Sequence, residues 1–163
     1  AAPVPTINKI VYYGDSLVNH SGGRLEQYTG VSVTNYGKDA QMAYHVTLGV
    51  YGSIDYNQNA LYVLSWGTNE DLQKVSPDEY KSNMNHIIST LKNNKKKVVV
   101  EVPLKLQFIS VLNELSVKYD VPLASYTPKE DEFIFDGVHL TGAGLDNRAK
   151  VLAGVVKKEI EKE

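Results

Sequence analysis

Ser16, His139 and Asp136 are the residues of this 163-residue chain whose types suit nucleophilic catalysis. A serine hydroxyl is a weak nucleophile until a base takes its proton, and His139 is the base available. Asp136, three residues earlier, can hold the imidazole in one tautomer and stabilise its charged form. Gly37 can offer a backbone N–H with no side chain blocking approach. Asn69 can offer a side-chain amide to the same oxyanion. Loss of one such donor costs roughly a hundred- to a thousandfold in turnover.

Five strand-helix units must bring these residues together. Ile10-Val11-Tyr12-Tyr13 reads as a buried strand ending at Gly14-Asp15-Ser16. Val31 to Thr34 reads as a second, ending at Asn35-Tyr36-Gly37, and Leu61 to Trp66 as a third, ending at Gly67-Thr68-Asn69. Val98 to Val102 is a fourth, stopped by Pro103, and Val121-Pro122-Leu123-Ala124 a fifth whose proline suggests a sheet edge. Between them lie helical patterns. Ser76-Pro77-Asp78-Glu79 carries the signature of a capping box, followed by Tyr80, Met84, Ile87, Ile88 and Leu91 on one face. Phe108, Val111, Leu112, Leu115 and Tyr119 form a second stripe. Leu145, Ala149, Leu152 and Val156 form a third, with Thr141 as its cap. Ser16 to Tyr28 and Ala40 to Val50 are weaker helices. Such alternation predicts an α/β fold with a parallel sheet covered on both faces. Its ligands would bind beyond the carboxyl ends of the strands, where all five chemical residues stand. Ser16 would also begin a helix, whose backbone N–H groups favour a developing anion.

Composition narrows the classes. The chain carries 17 Lys and Arg against 19 Asp and Glu, a net charge of −2, which argues against a nucleic-acid partner. No apolar run approaches the length of a membrane span. Cys is 0, which removes thiol nucleophiles, zinc-thiolate sites and disulfides. His20, His45 and His86 are not spaced as ligands with a carboxylate, so no metal is expected. No Gly-rich phosphate loop supports a nucleotide binder, and no cofactor is expected. Lys95-Lys96-Lys97 reads as a solvated turn.

Four blocks carry a family resemblance: Tyr13-Gly14-Asp15-Ser16-Leu17, Asn35-Tyr36-Gly37, Gly67-Thr68-Asn69-Glu70 and Asp136-Gly137-Val138-His139-Leu140. The chain resembles the SGNH hydrolase superfamily, the GDSL esterases and lipases. The resemblance implies a flavodoxin-like three-layer α/β/α sandwich with strand order 2-1-3-4-5. It implies Ser16, His139 and Asp136 as the triad, with the Ser16 N–H, the Gly37 N–H and the Asn69 side chain as the oxyanion hole. One departure is Glu70, where the family usually has Asp. That change is expected to alter local turn hydrogen bonds and not the chemistry. The Gly-x-Ser-x-Gly pattern of the other hydrolase arrangement is absent, since Leu17 and Val18 follow Ser16.

The expected reaction is ester hydrolysis through an acyl-serine. The blocks and five units consume nearly all of residues 1–163, read as a single domain with an extended entry over 1–8. Little chain is left for a lid, which points to a shallow site and a small acyl group such as acetyl. The 11 tyrosines suggest sugar stacking, hence carbohydrate deacetylation of a small-molecule or polysaccharide ester. A lipase or thioesterase-like enzyme for longer chains, or an inactive glycan-binding module of a larger protein, are the alternatives. Trp66 reads as core packing, with pocket lining as the other option. Tyr44, His45 and Leu104 are placed for the pocket wall. Ser65 and Ser125 lie near strand ends without a partnered base. The start Ala1-Ala2-Pro3, without Met, suggests a secreted or periplasmic protein or a domain of an extracellular or virion-type assembly.

Overall fold

A computed structural model describes residues 7–162, so most of the extended entry read over 1–8 lies outside the described residues. The chain runs β1 (Lys9–Gly14), α1 (Ser16–Ser21), α2 (Arg24–Thr29), β2 (Ser32–Gly37), α3 (Ala43–Leu48), β3 (Leu61–Ser65) and α4 (Thr68–Leu72). It continues through α5 (Pro77–Asn93), β4 (Lys97–Glu101), α6 (Ile109–Tyr119), β5 (Leu123–Ala124) and α7 (Gly142–Glu161). The five strands form one sheet in the order β2-β1-β3-β4-β5, and every pairing is parallel.

The unbroken apolar runs follow from burial on both faces. Alternate residues of one strand point to opposite layers. Val11 and Tyr13, Tyr62 and Leu64, and Val98 and Val100 pack with Val46, Met84, Ile87, Leu112 and Leu115 from α3, α5 and α6. Ile10 and Tyr12, Leu61 and Val63, and Val99 pack with Val18, Leu25, Leu152 and Val156 from α1, α2 and α7. Each fully buried Val, Leu or Ile is worth roughly 1.5–3 kcal/mol. The central strands are therefore the most strongly held, and their carboxyl ends form a rigid edge.

The helix signals behave as their chemistry dictates. The Ser76 hydroxyl accepts the Glu79 N–H at 3.2 Å and starts α5, with Pro77 in its first turn. The Thr141 hydroxyl accepts the Gly144 N–H at 3.2 Å and starts α7. Four details differ from the sequence reading. The segment 16–28 is not one helix, because Gly22 and Gly23 break it into α1 and α2. The expected helix over 40–50 contracts to α3, which stops at left-handed Gly49. The fifth strand keeps only Leu123 and Ala124, since the Val121 N–H closes the end of α6 on Ser116 O. And α4 was not foreseen. It springs from Gly67, whose φ of +140 and close approach to Pro103 admit only glycine.

Candidate active site

The first strand leads to the candidate nucleophile. Asp15 follows it and caps α1, its carboxylate accepting the Leu17 N–H at 3.0 Å. Ser16 is thus the first residue of α1, 9% exposed at the sheet edge. Asp15 itself is buried. Burial pushes its carboxyl up to about 6, against the pull of the nearby Arg148 guanidinium.

The candidate base arrives from the other end of the chain. Ser16 Oγ lies 2.9 Å from His139 Nε2, and His139 Nδ1 lies 2.5 Å from Asp136 Oδ2. Ionised Asp136 only accepts hydrogen bonds, so Nδ1 carries the hydrogen and a neutral ring presents a bare Nε2 to the serine hydroxyl. The other Asp136 oxygen accepts the N–H groups of Val138 and His139, both at 2.9 Å. The His139 contact and these two amides hold the Asp136 carboxyl down at about 2. The fold brings Ser16, His139 and Asp136 into contact with one another.

The loop that carries the base is a short hairpin. Phe133 and Leu140 bridge antiparallel, the Ile134 N–H donates to His139 O at 2.9 Å, and Gly137 turns at φ +67. Its anchor is Glu132, a buried carboxylate accepting from Tyr126 Oη at 2.6 Å, Lys129 N at 2.8 Å and Asn147 Nδ2 at 2.9 Å. These donors, Tyr126 first, lower its pKa. Sequence reasoning missed it, because one buried acid cannot be told from its neighbours in Glu130-Asp131-Glu132. Leu17, Leu140 and Leu145, with half-buried Leu104 and Phe133, form an apolar clasp joining the neighbours of Ser16 and His139. Leu104, a candidate for the pocket wall, packs on this cluster.

The oxyanion side is more tightly engaged than expected. Gly37 does end β2, and the space for a Cβ there is filled by the backbone of Asn19, 2.2 Å away. Its N–H, expected to be open, donates to Asn35 Oδ1 at 2.8 Å in an Asx turn. Asn35 Nδ2 in turn donates to Val18 O at 2.8 Å and Gly22 O at 3.1 Å, stitching β2 to α1. The Asn69 amide donates to Gln41 O at 3.0 Å, which leaves its second hydrogen. Gln41 is a buried hub that sequence reasoning missed. Its Oε1 accepts from Trp66 Nε1 at 3.1 Å and its Nε2 donates to Tyr51 O at 2.6 Å. No periodic pattern marks it, since it lies in an irregular turn.

Trp66 follows its core reading, and His45 and Tyr44 are engaged at the start of α3. Trp66 is 0% exposed and saturated by Gln41, so it packs the core and cannot touch a substrate. His45 accepts the Met42 N–H on Nδ1 at 2.9 Å and packs between Tyr44, 4.1 Å away by centroids, and Tyr51, 5.4 Å away. It serves the start of α3, and Tyr44 is its packing partner there. Ser65 is buried near the Arg148 guanidinium, 3.5 Å away. Arg148 also reaches Val102 O at 3.3 Å and faces the Glu101 carboxylate at 3.4 Å, tying α7 to β3 and β4. Its place three residues after Leu145 on the apolar stripe is the sequence signal for that burial. No group of three metal-binding side chains occurs among the described residues.

Solved structures share this architecture. A lipase/acylhydrolase from Enterococcus faecalis superposes with a TM-score of 0.79 at 15% identity, over 93% of this chain and 96% of its own. The psychrotrophic esterase EstA from Pseudoalteromonas sp. matches with 0.78 at 13% identity, over 95% and 100%. Axe2, an acetylxylan esterase from Geobacillus stearothermophilus, matches with 0.71 at 14% identity, over 96% and 95%. No family model and no curated protein matches the chain. The fold is the SGNH-type α/β sandwich, with the sheet order the four blocks imply.

Proposed function

We propose that the chain is a serine ester hydrolase acting through an acyl-serine intermediate. The observation that carries this is the continuous line Ser16–His139–Asp136, with contacts of 2.9 and 2.5 Å, at the carboxyl edge of the sheet. Ser16 Oγ attacks the acyl carbon while His139 Nε2 takes its proton, and the imidazolium is stabilised by Asp136. The Ser16 N–H and the second Asn69 amide hydrogen meet the oxyanion. Gly37 joins them only when Asn35 releases its N–H. His139 then protonates the leaving alcohol, and water completes the second half in reverse order. The arrangement needs no cofactor.

The substrate we favour is a small acyl ester, acetyl above all, on a carbohydrate. The connections after β2, β3 and β4 are short, and an acetylxylan esterase has the same fold over nearly its whole length. A longer acyl chain is the second reading, favoured by Phe135, fully exposed beside Asp136. The mechanism is tested with a fluorophosphonate probe. It should label Ser16 in the parent protein. Ser16→Ala should keep its circular dichroism and lose at least about a thousandfold in ester hydrolysis. Unchanged turnover in that variant overturns the proposal.

A further inference from the structure

We propose that His20 is a positioning residue for His139, acting in the second half of the reaction, when the acyl group has replaced the Ser16 proton. The inference rests on the acyl-serine route above. Ser16 and His20 are four residues apart in α1, so they share one helix face. His139 meets both. Its Nε2 faces Ser16 Oγ, and its ring lies beside the His20 ring, with centroids 4.9 Å apart and planes tilted by 44°. That separation falls within the range of favourable aromatic pairs.

The base stands partly in solvent. The His139 side chain is 28% exposed and that of its partner Asp136 is 32% exposed. Three directed contacts orient the ring: the serine hydroxyl at Nε2, the carboxylate at Nδ1, and His20 alongside. His20 is itself secured, since Arg24 donates to its carbonyl at 3.3 Å and pairs with Asp146 of α7 at 2.8 Å.

Acylation removes one of the three. Ser16 Oγ becomes an ester oxygen with no hydrogen to give, so the Nε2 contact is lost. The Asp136 bond restrains the ring at one atom, Nδ1, and leaves Nε2 room to swing. A ring packed alongside blocks that swing. Deacylation needs Nε2 in place. A water oxygen bonds to the acyl carbon as Nε2 takes the water proton. The C–Oγ bond then breaks, Nε2 returns the proton to Oγ, and the carboxylic acid leaves.

The test uses the parent protein, His20→Ala, His20→Gln and His20→Phe with p-nitrophenyl acetate. Stopped-flow release of p-nitrophenol reports acylation, and intact mass spectrometry of quenched samples reports the acetyl-enzyme. In His20→Ala and His20→Gln, first-turnover acylation should stay within about threefold of the parent, while kcat falls about tenfold, the upper end for one aromatic pair. Acetyl-enzyme should accumulate in both. His20→Phe, which keeps a planar ring and no charge, should restore kcat and clear the intermediate. An unchanged acetyl-enzyme fraction in His20→Ala, or a His20→Phe as slow as His20→Ala, overturns the inference. Failure of a fluorophosphonate to label Ser16 in the parent instead overturns the acyl-serine reading itself.

Discussion

Glu70 shows how one methylene group changes a residue's work. Its longer side chain reaches the start of α3, where Oε2 accepts the Ala43 N–H at 3.0 Å, while Oε1 is buried without a partner. Burial pushes the carboxyl from 4.5 up to about 7, opposed by the Ala43 bond. An acid with a folded value above its unfolded one binds protons more readily when folded. The stability this brings is full below pH 4.5 and is lost as the pH rises through about 7. Glu70→Gln stays neutral and keeps an acceptor for Ala43. Its melting temperature relative to the parent should rise between pH 5 and pH 8, a swing on the order of 2 kcal/mol. Parallel curves for the two proteins would refute this. The sequence marked Glu70 as a departure and placed the consequence in local hydrogen bonding. It could not show the burial, because Ala43 is 27 residues away. The meeting of Ser16, His139 and Asp136 was legible for the opposite reason. Each lies in a motif that follows a strand, so the parallel topology brings the three to one edge. Trp66 and Gln41 hide each other: the indole reads as core or pocket until its buried amide partner is known.

At the scale of elements, the seam between β2 and α1 decides whether Ser16 sits correctly. Asn35 bridges it with two hydrogen bonds, given to the carbonyls of Val18 and Gly22, while its Oδ1 accepts the Gly37 N–H within β2. Asn35→Asp puts a carboxylate oxygen against both carbonyls. Urea unfolding should show a loss of about 1–3 kcal/mol, larger than for Asn35→Ala, and ester turnover should fall with it. An Asp variant as stable as the parent would show that the seam does not depend on these bonds. The central strands and the long helices were legible because their periodicity is dictated by burial on one or both faces. The short elements were not. α1 and α2 are split by two glycines that a 13-residue pattern absorbs, and α4 depends on Gly67 meeting Pro103, a contact between chain segments far apart in sequence.

At the scale of the whole molecule, three segments border the proposed catalytic edge. The segment from β2 to α3 folds onto Trp66 and Asn69, the segment after β4 onto Leu17, and the hairpin of His139 stands partly in solvent. We read this edge as a shallow site, in keeping with the proposed small acyl group. A ladder of p-nitrophenyl esters should therefore show kcat/KM for acetate above that for octanoate by on the order of tenfold, the scale a hydrophobic pocket imposes. A preference for octanoate would move the reading to longer chains and make Phe135 and Ile134 the surface to mutate.

Ser16 and His139 are 123 residues apart in sequence. Closing that loop costs entropy that only the docked sheet and α7 repay. Synthesis runs from the amino terminus, so the serine is made long before its base. Any fragment that ends before the hairpin lacks the proposed base. The proposed hydrolysis would consequently report folding with unusual stringency: it would register only chains whose first strand and last helix have found each other, whatever helix and sheet content has formed earlier.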